Sequence, residues 1–71
     1  MARTPSNSSN LSAFEYVSEG KILVVDFKSG RTYRYHKVPL DLFTKLILSE
    51  SQGKFFKAEI QGKFEQEEVL P

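Results

Sequence analysis

No cysteine occurs in the sequence. That excludes disulfides and thiolate metal sites and lets the chain sit unchanged in a reducing compartment. Histidine occurs once, at His36, so no paired histidine and acidic residues stand at metal-ligand spacing. No serine or cysteine carries a nucleophile signature beside a base. Glycine is scarce, and Gly20, Gly30, Gly53 and Gly62 each read as a turn or helix-cap residue, not as a phosphate-cradling loop. The longest apolar run is four residues, Ile22–Val25, far short of a membrane span. The opening MARTPSNSSN lacks the hydrophobic segment of a secretory signal. The expectation is a cytoplasmic chain that is not an enzyme, with no catalytic residue, cofactor or metal.

What is present fits one small domain. At 71 residues the core is small, and most large apolar residues must contribute to it. The chain is organised around Lys21–Lys37, KILVVDFKSGRTYRYHK. Its β-branched and aromatic residues at period two read as two strands, about Lys21–Phe27 and Arg31–Lys37. A two-residue loop at Ser29 and Gly30 would set Val25 opposite Arg34 and Leu23 opposite His36, mixing apolar and charged groups. A three-residue loop, Lys28–Gly30, sets Val25 opposite Tyr33 and Leu23 opposite Tyr35. Leu23, Val25, Phe27, Tyr33 and Tyr35 then share one face. A slip of one residue would turn a whole strand over, so the clean pattern selects the longer loop. Gly30 suits its left-handed position.

The rest of the chain is arranged around that hairpin. Residues 1–9 carry almost nothing apolar and read as a disordered arm; deleting residues 2–8 should leave the melting temperature nearly unchanged. Leu11–Val17 reads as a further strand, although neither of its faces is wholly apolar. Pro39 ends the sheet and opens a helix at about Leu40–Ser49, with Asp41 in its first turn and Leu42, Phe43, Leu46 and Ile47 as its stripe. A second helix is expected over about Gln52–Gln61. A capping box of Ser49 with Gln52, or Ser51 as N-cap, starts it, and Gly62 stops it. Phe64 should fold back onto the core, and residues 65–71 read as an acidic tail. The predicted architecture is α+β: a three-stranded antiparallel meander followed by two short helices packed on one face, in a domain spanning residues 10–64.

Charge is unevenly spread. Residues 21–63 hold nine basic against four acidic residues, a net of +5, while Glu65, Glu67 and Glu68 follow. A basic body with an acidic tail is compatible with an anionic partner, for which the tail would compete. Basic residues interleaved with aromatics at Arg31–His36 resemble a nucleic-acid-binding strand. Lys54, Lys57 and Lys63 form a second basic cluster. The candidate nucleic-acid-binding residues are therefore Arg31, Arg34, His36, Lys54, Lys57 and Lys63. The same lysines also suit a solvated helix face, and the hairpin register points Tyr33 and Tyr35 into the core.

Taken together, these motifs resemble the KTSC domain family, named for the C-terminal region of some lysyl-tRNA synthetases. The carriers are Ser8-Ser9-Asn10 before the first main strand, Asp26-Phe27 at a strand end, and the Tyr33-Arg34-Tyr35 motif. Val38-Pro39, the Ser-x-Gly-Lys-Phe-Phe run of Ser51–Phe56 and the Ile60-x-Gly62 close follow in order. The likeness covers about Ser9–Phe64. It implies a small stand-alone bacterial or phage domain and no assigned activity; RNA binding is a suggestion that comes from the synthetase association. Two functions are expected to compete. One is RNA binding through the six residues above. The other is protein docking through a sheet edge or through exposed Ile22 and Val24.

Overall fold

The computed structural model describes residues 3–70. A five-stranded antiparallel sheet forms one layer, with strand order β1-β2-β3-β4-β5. β1 is Thr4–Pro5, β2 Leu11–Val17, β3 Ile22–Phe27, β4 Thr32–Tyr35 and β5 Gln66–Val69. Helices α1 (Leu40–Leu48) and α2 (Gln52–Glu59) lie between β4 and β5 in the chain. The α+β class holds, but the sheet has two strands more than the meander expected from the sequence.

The central hairpin has the expected register. Leu23 faces Tyr35, Val24 faces Arg34 and Val25 faces Tyr33. The loop is Lys28–Gly30: the Phe27 N–H donates to the Arg31 carbonyl at 2.8 Å, and the Gly30 N–H donates to the Phe27 carbonyl at 2.9 Å. Gly30 takes φ +97°, the left-handed region a side chain would strain. Leu23, Val25 and Tyr35 are fully buried, while Tyr33 is half-buried, with its ring edge-on to Phe27 at 5.6 Å.

β2 explains why neither of its faces looked apolar. The pairing with β3 shifts between Leu11 and Ala13, as a β-bulge at Ser12 would shift it. The extra residue brings Leu11 onto the same side as Phe14 and Tyr16, and all three are buried. The Tyr16 hydroxyl donates to the Val38 carbonyl at 2.6 Å, and its ring stacks on Phe43 of α1 at 5.0 Å. Burial, and secondarily the charge of Asp41, push the Tyr16 pKa up, so the hydroxyl keeps the proton that it donates. Leu46 of α1, Phe56 of α2 and Ile60 complete the core against the sheet residues. Phe64 packs against this cluster, as expected.

Both chain ends differ from expectation. The arm is not free: Thr4 pairs with Phe14 and Pro5 with Ala13. Arg3 bonds Glu15 through Nε at 2.7 Å and Asp26 through Nη1 at 2.9 Å. Met1 and Ala2, part of the predicted arm, lie outside the described residues, as does Pro71 of the predicted tail. The tail forms β5, with Glu67 opposite Arg34 and Gln66 opposite Tyr35. Neither end carries an apolar anchor, and counting such anchors missed them. Backbone pairing and ion pairs hold both in place.

Candidate nucleic-acid interface

The six candidate residues stand on different elements. Arg34 and His36 stand on β4 and just beyond it, on the sheet face that no helix covers. Across that face a single row runs Glu15, Val24, Arg34, Glu67. Glu67 reaches both side chains: its Oε1 lies 3.7 Å from Arg34 Nη1 and 2.8 Å from His36 Nε2. These two positions are thus largely answered within the fold. Val24, in the same row, is only 8% exposed. This corrects the expectation that it offers an apolar docking surface, and Ile22 beside it is half-buried. Tyr35 is buried and offers no ring to stack a base, and Tyr33 is half-buried beside Phe27 and Tyr35. Burial and the nearby Tyr33 push the Tyr35 pKa up to about 12. Arg31 leaves the hairpin loop and Lys63 follows α2, and both are exposed.

Lys54 and Lys57 are brought together. Both are exposed on α2 and line a cleft of about 330 Å³. Its opposite wall is Asn7–Leu11, and its far side is Glu50 and Ser51. Sequence reasoning missed this wall, because the Ser/Asn run looked unstructured.

A polar clamp builds the cleft. Gln52, the first residue of α2, is 5% exposed. Its Oε1 accepts the Asn7 N–H at 2.8 Å, and its Nε2 donates to the Ile47 carbonyl at 3.0 Å. Asn7 Oδ1 accepts the Gln52 N–H at 3.3 Å, and Asn7 Nδ2 donates to the carbonyls of Ser49 and Glu50 at 3.4 and 3.3 Å. The helix start is therefore capped from 45 residues away in sequence. Ser51, the expected N-cap, makes no side-chain cap hydrogen bond, and Gln52 turns to Asn7 and Ile47 in place of the expected capping box. Gly53 has a different role from the one expected. A Cβ there would come within 2.7 Å of Ser8 Oγ, so glycine is what permits the arm to lie so close. Ser8 Oγ in turn accepts the Asn10 N–H at 3.0 Å, which bends the arm into the wall. The signal available in the sequence was the pairing of a Ser/Asn run with Ser-x-Gly-Lys; its partner lay too far along the chain to be read from either stretch alone.

Chemically, the cleft offers two ammonium groups, serine hydroxyls and the Asn10 amide, beside the Glu50 carboxylate and the apolar Leu11 and Phe56. Among the described residues no three His, Asp or Glu side chains converge as metal ligands would. No helix there is long and apolar enough to cross a membrane.

Comparison with known proteins bears on the whole unit, cleft included. A lysine–tRNA ligase of Trichormus variabilis is 38% identical over 56 residues, covering 79% of this chain and 10% of the ligase. The chain thus spans about a tenth of the length of the tRNA ligases it matches. An uncharacterised protein of Stutzerimonas stutzeri is 39% identical over 56 residues, 79% of each chain. A crystal structure of a KTSC domain protein from Yersinia pestis superposes with a TM-score of 0.92 at 29% identity, covering 97% of both chains. The KTSC domain family model matches residues 7–64. The match begins at Asn7, the residue that clamps α2, and ends at Phe64, shortly before β5. The chain belongs to the KTSC domain family.

Proposed function

We propose that this chain is a small RNA-binding module, without catalytic activity, that holds the backbone of a single strand in the cleft between residues 7–11 and α2. The observation that carries this reading is the placement of Lys54 and Lys57 on the lip of a cleft whose opposite wall carries Ser8, Ser9 and Asn10. Ammonium groups neutralise phosphates, and hydroxyl and amide groups bond phosphate and sugar oxygens. The match to lysine–tRNA ligases supports the same direction, because those relatives act where RNA is present. A cleft of about 330 Å³ suits one or two nucleotides and not a duplex. Arg34 and His36 contribute little, since Glu67 already holds them. Binding is therefore driven by phosphate neutralisation, without base stacking on Tyr35.

The test is an NMR titration of the labelled chain with a short single-stranded RNA at low salt. Shifts are expected at Ser8, Asn10, Gly53, Lys54 and Lys57. Lys54→Ala with Lys57→Ala should weaken binding and lower the slope of log affinity against log salt by ~0.7 for each phosphate of a single strand that the variant no longer neutralises. No shift at low salt, or shifts confined to Arg31 and Arg34, would remove this reading.

A further inference from the structure

The two edges of the sheet are unlike. β1 presents only Thr4 and Pro5; proline has no N–H to give, and neighbouring Arg3 is turned onto Glu15 and Asp26. β5 presents four residues, Gln66–Val69. Which of its backbone groups are free follows from the ladder. The His36 N–H donates to the Glu65 carbonyl at 2.9 Å, which marks that facing pair as hydrogen-bonded. Bonded and non-bonded pairs alternate along antiparallel strands. With Arg34 opposite Glu67 and Thr32 opposite Val69, the backbones of Glu67 and Val69 turn toward β4. Those of Gln66 and Glu68 turn outward, each with an N–H and a C=O. Charge lies along the same edge. Glu67 is shared by Arg34 and His36, while Glu65 and Glu68 are exposed and enter no ion pair among the described residues.

We infer that β5 is a docking edge for an extended basic segment of another protein, which adds to the sheet as a sixth strand. Backbone hydrogen bonds to Gln66 and Glu68 hold the segment, and the glutamates select its sign. Glu67 lies in the row of the uncovered face, and Glu68, opposite Tyr33, lies on the helix-bearing side. A fitting segment therefore carries lysine or arginine at two successive positions, one for each side of the sheet. A second copy of this chain is the poorer occupant. Antiparallel pairing of β5 with another β5 sets glutamate against glutamate in each register centred on this strand, Glu67 on Glu67, Glu68 on Glu68 or Glu65 on Glu67, and like charges across a strand pair destabilise it. The β1 of a second copy is short and interrupted by Pro5, and proline weakens an edge as a partner. An RNA strand has the wrong sign for this edge. The docking edge and the lysine cleft involve different residues, so each stands or falls alone.

The experiment uses the labelled full chain and a capped peptide, Thr-Val-Lys-Lys-Val-Thr, followed by NMR. Two analogues carry backbone N-methyl groups at alternate residues, odd in one and even in the other, with charge unchanged. The amides of Gln66 and Glu68 should shift and exchange more slowly with the parent peptide. One analogue should bind about tenfold or more weakly, because it cannot complete the ladder. Glu68→Lys should weaken the parent about tenfold, since it turns a favourable cross-strand pair into a like-charge one. Glu68 is exposed, so unchanged shifts elsewhere will show that this variant keeps the fold. The inference is overturned if both analogues bind like the parent, if the peptide does not bind, or if its shifts fall at Lys54 and Lys57. It is equally overturned if the free chain proves to be a dimer paired through β5, or if RNA shifts Gln66 and Glu68.

Discussion

The β3–β4 hairpin and the two outermost strands belong to one sheet, yet different forces hold them. In the hairpin, Leu23 and Val25 are fully buried and Tyr35 is 1% exposed. β1 is wholly exposed, and β5 is exposed except at Val69. The hairpin is fixed by removing apolar surface from water, roughly 25 cal/mol for each Å². The outer strands bury little and are kept in register by ladder hydrogen bonds and charged neighbours: Arg3 on Glu15 and Asp26 at one edge, Glu67 on Arg34 and His36 at the other. Burial gives a strand its stability, while polar partners mainly give an edge its place.

The largest effect should come from the buried centre of that contrast. The Tyr35 ring meets Phe56 edge-on at 5.4 Å and closes the space between sheet and α2. Tyr35→Ala leaves a cavity that a domain this small has few ways to fill, and should cost ~3–5 kcal/mol in urea unfolding. A loss below ~1 kcal/mol would mean that the hairpin, like the edges, depends mainly on its ladder.

The next effect tests whether a polar clamp can anchor a chain end. Asn7→Ala deletes the acceptor for the Gln52 N–H and the amide that reaches the Ser49 and Glu50 carbonyls. The expected cost is ~1–2 kcal/mol, comparable to losing a helix cap together with a hydrogen bond. The Gln52 N–H should then exchange faster with solvent. This replaces the expectation that deleting residues 2–8 leaves the melting temperature nearly unchanged. An unaltered melting temperature would restore that expectation and detach the wall of the cleft from α2.

How much could be read in advance follows the same division. The hairpin register, Gly30 in its loop, both helices and the inward Tyr35 were legible, because alternation and helical stripes write burial into the sequence. β2 was only half legible, because the irregularity between Leu11 and Ala13 changes the phase of its alternation. β1 and β5 were illegible: an exposed strand has no apolar period, and its partners Phe14 and Arg34 give no sign of what they pair with. The site divides likewise. Lys54 and Lys57 stood out by charge. The clamp from Asn7 to Gln52 spans 45 residues and leaves no local pattern. Arg34 and His36 looked free until β5 brought Glu67 beside them.

The smallest effect asks what holds β5. Its Glu67 sits between Arg34 and His36, but in the open: the Glu67 side chain is 51% exposed, and that of Arg34 46%. Exposed ion pairs contribute ~0–1 kcal/mol, and salt screens them. Glu67→Gln keeps the side-chain length and an oxygen able to accept from His36, and it leaves the ladder between Arg34 and residue 67 untouched. The expected loss is therefore under ~1 kcal/mol at low salt and falls toward zero at high salt, measured by paired urea unfolding curves. The amides of residue 67 and Val69 should remain protected in both conditions, because backbone pairing and not charge keeps the strand on the sheet. Should those amides open in the variant, charge would be the anchor of β5. The edge would then be a strap that detaches, and its glutamates would serve the fold before they could serve a partner.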